Sequence, residues 1–92
     1  MYPKKINKEE ISRLHFPAEE VLTSKELQSK RERELMNGLI LGNTEKGKCR
    51  IVFHSTEGDS YVETTIWAVT DKYICLKGGI TLLVSSIIEV IF

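Results

Sequence analysis

The side chains best suited to covalent or metal chemistry in this chain are two cysteines and two histidines: Cys49, Cys75, His15 and His54. A thiolate beside an imidazole can act as a nucleophile activated by a base, and Cys49 with His54 is the nearest such pairing. The residues between them read as a β-strand, which sets the two about 17 Å apart. Cys49 also falls on the apolar face of that strand. The pair is therefore rejected as a catalytic dyad. Neither histidine has Cys, His, Asp or Glu at metal-ligand spacing, beyond the acids that surround any residue. The glycines Gly42, Gly47, Gly58, Gly78 and Gly79 each fit a cap or a turn, and no phosphate-cradling loop follows a strand and opens a helix. No catalytic residue, metal or cofactor is expected, and the chain reads as a non-enzyme.

Side chains that could bind are easier to find. Tyr61, Trp67 and Tyr73 alternate with apolar positions on neighbouring strand-like segments, so if Val62, Ile66 and Ile74 face the core these three face outward. An outward aromatic group gives large contact area at small entropic cost. The competing reading is that they lie beneath a helix. The second candidate is the charge run that contains Lys30, Arg31 and Arg33, which reads either as a solvated helix face or as a surface for a partner.

Composition limits what such surfaces can take. Lys and Arg total 13 and Asp and Glu total 13, so the formal net charge is zero. A protein that neutralises several phosphates normally carries a basic surplus. Binding of RNA or single-stranded DNA through aromatic stacking is thus the alternative reading, with the charge balance against it. The longest apolar-rich stretch, Ile80 to Phe92, is too short and too interrupted to cross a bilayer as a helix. Nothing after Met1-Tyr2-Pro3-Lys4-Lys5 resembles the apolar run of a signal peptide, so the expected setting is cytoplasmic with both thiols reduced.

The elements that must position these residues follow from period and punctuation. Residues 48–92 hold 23 of the 38 apolar residues, so the core is C-terminal. Within an N-terminal extension, 1–22, residues 6–15 read as a short helix: Asn7 is a suitable N-cap, Glu10 completes a capping box, and Ile6 with Ile11 forms a hydrophobic staple. Pro17 ends it. The same grammar recurs at Thr23, Glu26, Leu22 and Leu27, which predicts a second helix over 23–42 that ends at Gly42-Asn43. Its first half, Ser24 to Glu34, is polar nearly all round and reads as a projecting arm; from Leu35 it turns apolar and must be packed. Asn37-Gly38 weakens it by about 1 kcal/mol relative to better helix formers.

From Lys48 the period becomes 2. Lys48–Ser55, Tyr61–Thr70, Tyr73–Lys77, Ile80–Val84 and Ile87–Phe92 read as strands. Asp71-Lys72 and Gly78-Gly79 serve as two-residue reversals, and Ser85-Ser86 as a bend. Five short strands behind a helix predict a mainly β, α+β domain over 1–92: one or two N-terminal helices and a five-stranded antiparallel SH3-like or Sm-like small barrel over 48–92.

The run Val62-Glu63-Thr64-Thr65-Ile66-Trp67-Ala68-Val69-Thr70, with Leu76-Lys77-Gly78-Gly79-Ile80-Thr81, Leu41-Gly42-Asn43 and Lys46-Gly47-Lys48, resembles a family of small uncharacterised bacterial proteins of the Bacteroidetes type. The resemblance covers about residues 24–92. Many of those proteins end in an apolar-Pro-apolar-polar-Arg-Ile pattern; Leu82-Leu83-Val84-Ser85-Ser86-Ile87 lacks both the Pro and the Arg. The resemblance implies the small-barrel fold, brings no known activity and leaves function where the residues put it. The outward aromatic group and the charged half of the helix lead to the expectation of a non-catalytic interaction module with a protein partner, compatible with homodimerisation through the helix or the final strand, Ile87–Phe92.

Overall fold

The computed structural model describes residues 3–92; Met1 and Tyr2, at the start of the expected N-terminal extension, lie outside the described residues. The element order is β1 (Lys4–Lys5), a 3-10 turn (Lys8–Arg13), α1 (Lys25–Glu45), β2 (Cys49–Ser55), β3 (Gly58–Thr64), β4 (Ile66–Val69), β5 (Tyr73–Leu76), β6 (Ile80–Leu83), a second 3-10 turn (Val84–Ser86) and β7 (Ile87–Ile91). The fold is α+β and mostly β, as the change of period predicts.

The expected five-stranded closed barrel is not what forms. Seven strands make two sheets, one ordered β1-β3-β2-β7 and the other β4-β5-β6. The predicted strand Tyr61–Thr70 begins earlier, at Gly58, and breaks at Thr65, where the chain passes from one sheet to the other. Among the described residues no ladder joins β6 to β7, so the two sheets do not close on each other. Closure is unnecessary because helical elements cover the core: α1 packs on β4 and β7, and the first 3-10 turn packs on β6 and β3. Val21 N–H donates to Ser85 O at 2.9 Å, which ties the N-terminal segment to the turn between β6 and β7.

Strand alternation builds the core. Ile51 and Phe53 of β2, Val62 of β3, Ile66 of β4, Ile74 and Leu76 of β5, Leu82 of β6 and Ile87 and Val90 of β7 are all buried together with Leu35 and Ile11. Phe16 stacks at 48° on Phe53 with centroids 6.0 Å apart, so residues before the helix contribute to the same core. Burial of each such large apolar side chain contributes roughly 1.5–3 kcal/mol.

Both N-terminal predictions hold in part. Residues 8–13 form a 3-10 turn rather than an α-helix, with the Asn7 N–H donating to Glu10 Oε2 at 2.8 Å as the box requires. The cap of α1 is Ser24, not Thr23: Ser24 Oγ accepts from Glu26 N–H at 3.2 Å and from Leu27 N–H at 3.4 Å. The helix also runs past Gly42-Asn43 to Glu45 and ends on Lys46 at φ 53°. Gly42 does not terminate it because that glycine is needed for contact. A Cβ built there would stand 2.5 Å from the Ile66 carbonyl oxygen, and one on Gly38 would stand 2.8 Å from Ile66 Cδ1. The cost of glycine in mid-helix is thus the condition for laying the helix directly on β4.

The projecting arm is also corrected. Arg31, Leu35, Gly38 and Gly42 are the buried residues of α1, at i, i+4, i+7 and i+11. Arg31 is 6% exposed and begins the buried stripe. The charged half is therefore not a free arm: Arg31 is buried and Gln28 Nε2 donates to Leu22 O at 2.7 Å, while its remaining charged residues face solvent or line the seam.

Candidate functional site

Two arrangements stand out: an ion pair between buried Arg31 and partly exposed Glu20 at the helix–strand seam, and the outer face of the β4-β5-β6 sheet. In the first, Arg31 Nη1 donates to Glu20 Oε2 at 2.7 Å and to the Ile87 carbonyl at 2.9 Å, while Nη2 donates to Glu20 Oε1. The guanidinium hydrogen bonds hold the Glu20 carboxyl below the usual carboxylate range, against a smaller desolvation effect that raises it. One helical turn on, Glu34 Oε1 accepts the Val90 N–H at 3.1 Å. Its second oxygen lies 3.8 Å from Lys30 Nζ, the i,i+4 pair the sequence suggests.

This clamp is structural in character. A cation and an anion from one helix serve the carbonyl and amide of β7 much as a neighbouring strand would. Sequence reasoning missed it by treating Arg31 as solvated. The signal was present in the spacing of Arg31 from Leu35 and the two glycines, which puts it on the packed face. Of the three basic residues offered as a surface, then, Arg31 is buried, Lys30 is exposed but paired, and Arg33 is exposed on the opposite side of the helix.

The aromatic trio is divided by the break at Thr65. Tyr61 lies on β3 of the larger sheet, half-buried, with the Arg50 guanidinium 4.4 Å from its ring centroid. Trp67 and Tyr73 lie on the smaller sheet and are 51% and 47% exposed. The helix does not cover them. An irregularity between Ile66 and Ala68 shifts the register, so Ala68 turns out and Val69 turns in, the reverse of the strict alternation expected. Trp67 sits at that bulge and still faces outward. Cross-strand pairing then sets Tyr73 opposite Leu83 and Cys75 opposite Ala68 on one side and Thr81 on the other. The outer face of this sheet is thus Trp67, Ala68, Tyr73, Cys75, Thr81 and Leu83.

Cys49 and His54 stand near opposite ends of β2. The Cys49 thiol is 4% exposed, and burial pushes it up to about 11, where almost none is thiolate at neutral pH. His54 Nδ1 lies 2.7 Å from Asp59 Oδ1 across the β2–β3 register, a pairing the linear sequence did not suggest. It is an imidazole oriented by a carboxylate, and neither thiol is paired with it: Cys49 is buried on its own strand and Cys75 is on the other sheet. No group of three or more His, Cys, Asp and Glu that could hold a metal ion occurs among the described residues. No helix of the described residues is long and apolar enough to cross a membrane.

Comparison of the chain with protein-family models, with curated proteins and with solved structures gives no match in any of the three. The reading of the site rests on its own residues.

Proposed function

We propose that the protein is a non-catalytic interaction module that binds a protein partner through the outer face of its β4-β5-β6 sheet. The observation that carries this is Trp67: an indole half in solvent, held at a bulge on a sheet whose other face is fully packed. Tyr73 with Leu83, and Cys75 between Ala68 and Thr81, extend the same face. Rigid aromatic and aliphatic groups on a fixed sheet are preorganised for burial, and such groups dominate binding energy when covered.

The order of the strands supports placing the fold beside SH3-like and Sm-like barrels, as an open form of that plan. A bent strand, β3 into β4, crosses between the sheets, and a 3-10 turn precedes the last strand, which pairs back to the first strand of the barrel region. The two unpaired cysteines, Cys49 and Cys75, are compatible with the cytoplasmic reading. The resemblance to small Bacteroidetes-type proteins adds no activity to this reading.

The test is affinity capture with the native chain and with a Trp67→Ser/Tyr73→Ser double variant. The native chain should recover a partner reproducibly and show a quenched or blue-shifted Trp67 emission on binding; the variant, which has no tryptophan to report, should keep its fold and lose the capture. A chain that stays monomeric and recovers nothing would sink the proposal. Fluorescence anisotropy with mixed oligonucleotides at low salt separates it from the alternative, in which RNA or single-stranded DNA stacks on the same indole.

A further inference from the structure

Between α1 and the turn that joins β4 to β5 runs a groove of about 440 Å³. Its apolar lining is Leu35 and Met36 from the helix, Val69 at the end of β4 and Val84 from the second 3-10 turn. Leu35 is sealed, but Met36 is 47% exposed and the two valines are half-buried, so the lining is open to solvent. The bulge between Ile66 and Ala68 contributes to it by turning Val69 inward, away from the face that carries Trp67. The groove is therefore a different surface from the outer face of the sheet.

Its unpaired charges are of one sign. Glu32 on the helix wall and Asp71 on the turn wall are both exposed, and among the described residues neither has an ion-pair partner. Arg31 is the one cation in the lining, and Glu20 already neutralises it. Lys72, next to Asp71 in sequence, does not line the groove. Arg31 adds a second signal. Its Nη1 and Nη2 are taken by Glu20 and the Ile87 carbonyl, while its buried Nε has no hydrogen-bond partner among the described residues. Buried donors are seldom left so. One lining thus calls for an apolar side chain, a cation and a hydrogen-bond acceptor.

We propose that this groove takes a basic segment of a partner protein, with a lysine or arginine beside an apolar residue. A lysine has an apolar stem and a cationic head, so it can lie along Met36 and Val69 and end between Glu32 and Asp71. The neighbouring apolar side chain covers Val84, and a main-chain carbonyl of the segment supplies the acceptor that Arg31 Nε lacks. The same two carboxylates oppose an acidic segment or a phosphate backbone, which is what singles out a basic one. The proposal does not depend on the Trp67 face.

Heteronuclear NMR of the full chain tests this with two probes: acetyl-Ala-Leu-Lys-Leu-Ala-amide, and the same peptide with glutamate in place of lysine. The lysine peptide should shift the amide resonances of Glu32, Met36, Val69 and Asp71 and the Nε–H resonance of Arg31. Added salt should weaken its binding. The glutamate peptide should shift none of these. Glu32→Gln/Asp71→Asn alters only exposed side chains and should weaken lysine-peptide binding about fivefold, with the spectrum otherwise native. Met36→Ser, a second variant at an exposed position, removes apolar lining without touching a charge and should weaken it about threefold. A native chain that the lysine peptide does not shift, a glutamate peptide that binds as well, or lysine-peptide binding that both variants leave intact would overturn the proposal. Trp67→Ser/Tyr73→Ser should leave the shifts unchanged, so failure of the groove and failure of the outer face are told apart.

Discussion

β6 and β7 are short apolar strands at the outer edges of the two sheets, separated in sequence only by a 3-10 turn, yet the molecule treats them differently. β7 has an arginine and a glutamate reaching from α1 to its main chain, with Glu20 holding the arginine in place. β6 carries no charge and has no such clamp among the described residues; what lies against it is the first 3-10 turn. Edges are usually protected by charge on the strand itself. Here the charge that guards β7 comes mainly from the helix, so the helix must carry polar residues on its buried side. What looks in sequence like a solvated arm is the guard of a distant strand.

The largest effect that would break this comparison is at Glu20. Glu20→Ala leaves a guanidinium that is 6% exposed without its counter-ion, and should cost about 3 kcal/mol in denaturant unfolding. Arg31→Met should cost less, about 1–2 kcal/mol, because Glu20 can return to water and only the Ile87 carbonyl loses a partner. The reverse order would mean that Arg31 is not sealed in the seam.

Next is the guard on β4. Gly42→Ala forces the helix off a backbone carbonyl and should destabilise by about 2 kcal/mol. At Gly38 the clash is with the end of an isoleucine side chain, and alanine regains about 1 kcal/mol of helix propensity, so Gly38→Ala should be close to neutral. Equal losses at both would show that the close approach is not confined to Ile66.

Glu34→Ala should cost about 1–2 kcal/mol and speed amide exchange at Val90, whose N–H it leaves unserved. Acid sharpens the same contrast. Because the Glu20 carboxyl titrates below the usual range in the folded chain, its contribution is present at neutral pH and is lost as pH falls through that depressed value. Acid denaturation of Glu20→Ala should accordingly show a shallower dependence there. The smallest effect is at β6: Thr81→Pro should change stability by only about 0.5 kcal/mol or less, since among the described residues its N–H has no hydrogen-bond partner.

Much of this fold was legible in the residues. The period-2 runs located the strands of the barrel region to within a few positions, except where the second of them splits between sheets. Asp71-Lys72 reads as a tight reversal, and the chain does reverse there between β4 and β5; Leu35 is packed as expected, but the packed stripe starts one turn earlier, at Arg31. The turn after β5 spans Lys77-Gly78-Gly79, one residue longer than expected, since Leu76 pairs with Ile80. Three things were not legible, each because it depends on a partner distant in sequence. The split into two sheets depends on where the 3-10 turns and α1 cover the core. Gly42 read as a terminator because the carbonyl it approaches lies 24 residues later, at Ile66. Arg31 read as solvent-exposed because its partners lie 11 residues before it and 56 after it. Trp67 was placed outward correctly, but the bulge that reverses Ala68 and Val69 has no mark in the local pattern.

The separation between Arg31 and Ile87 carries a further consequence for how the chain is made. A ribosome adds roughly 5–20 residues each second, so α1 emerges several seconds before the strand it will clamp exists. An apolar helix would spend that interval seeking contacts. One whose leading half carries Lys25, Glu26, Lys30, Arg31, Glu32, Arg33 and Glu34 is suited to stay hydrated until β7 arrives to be held.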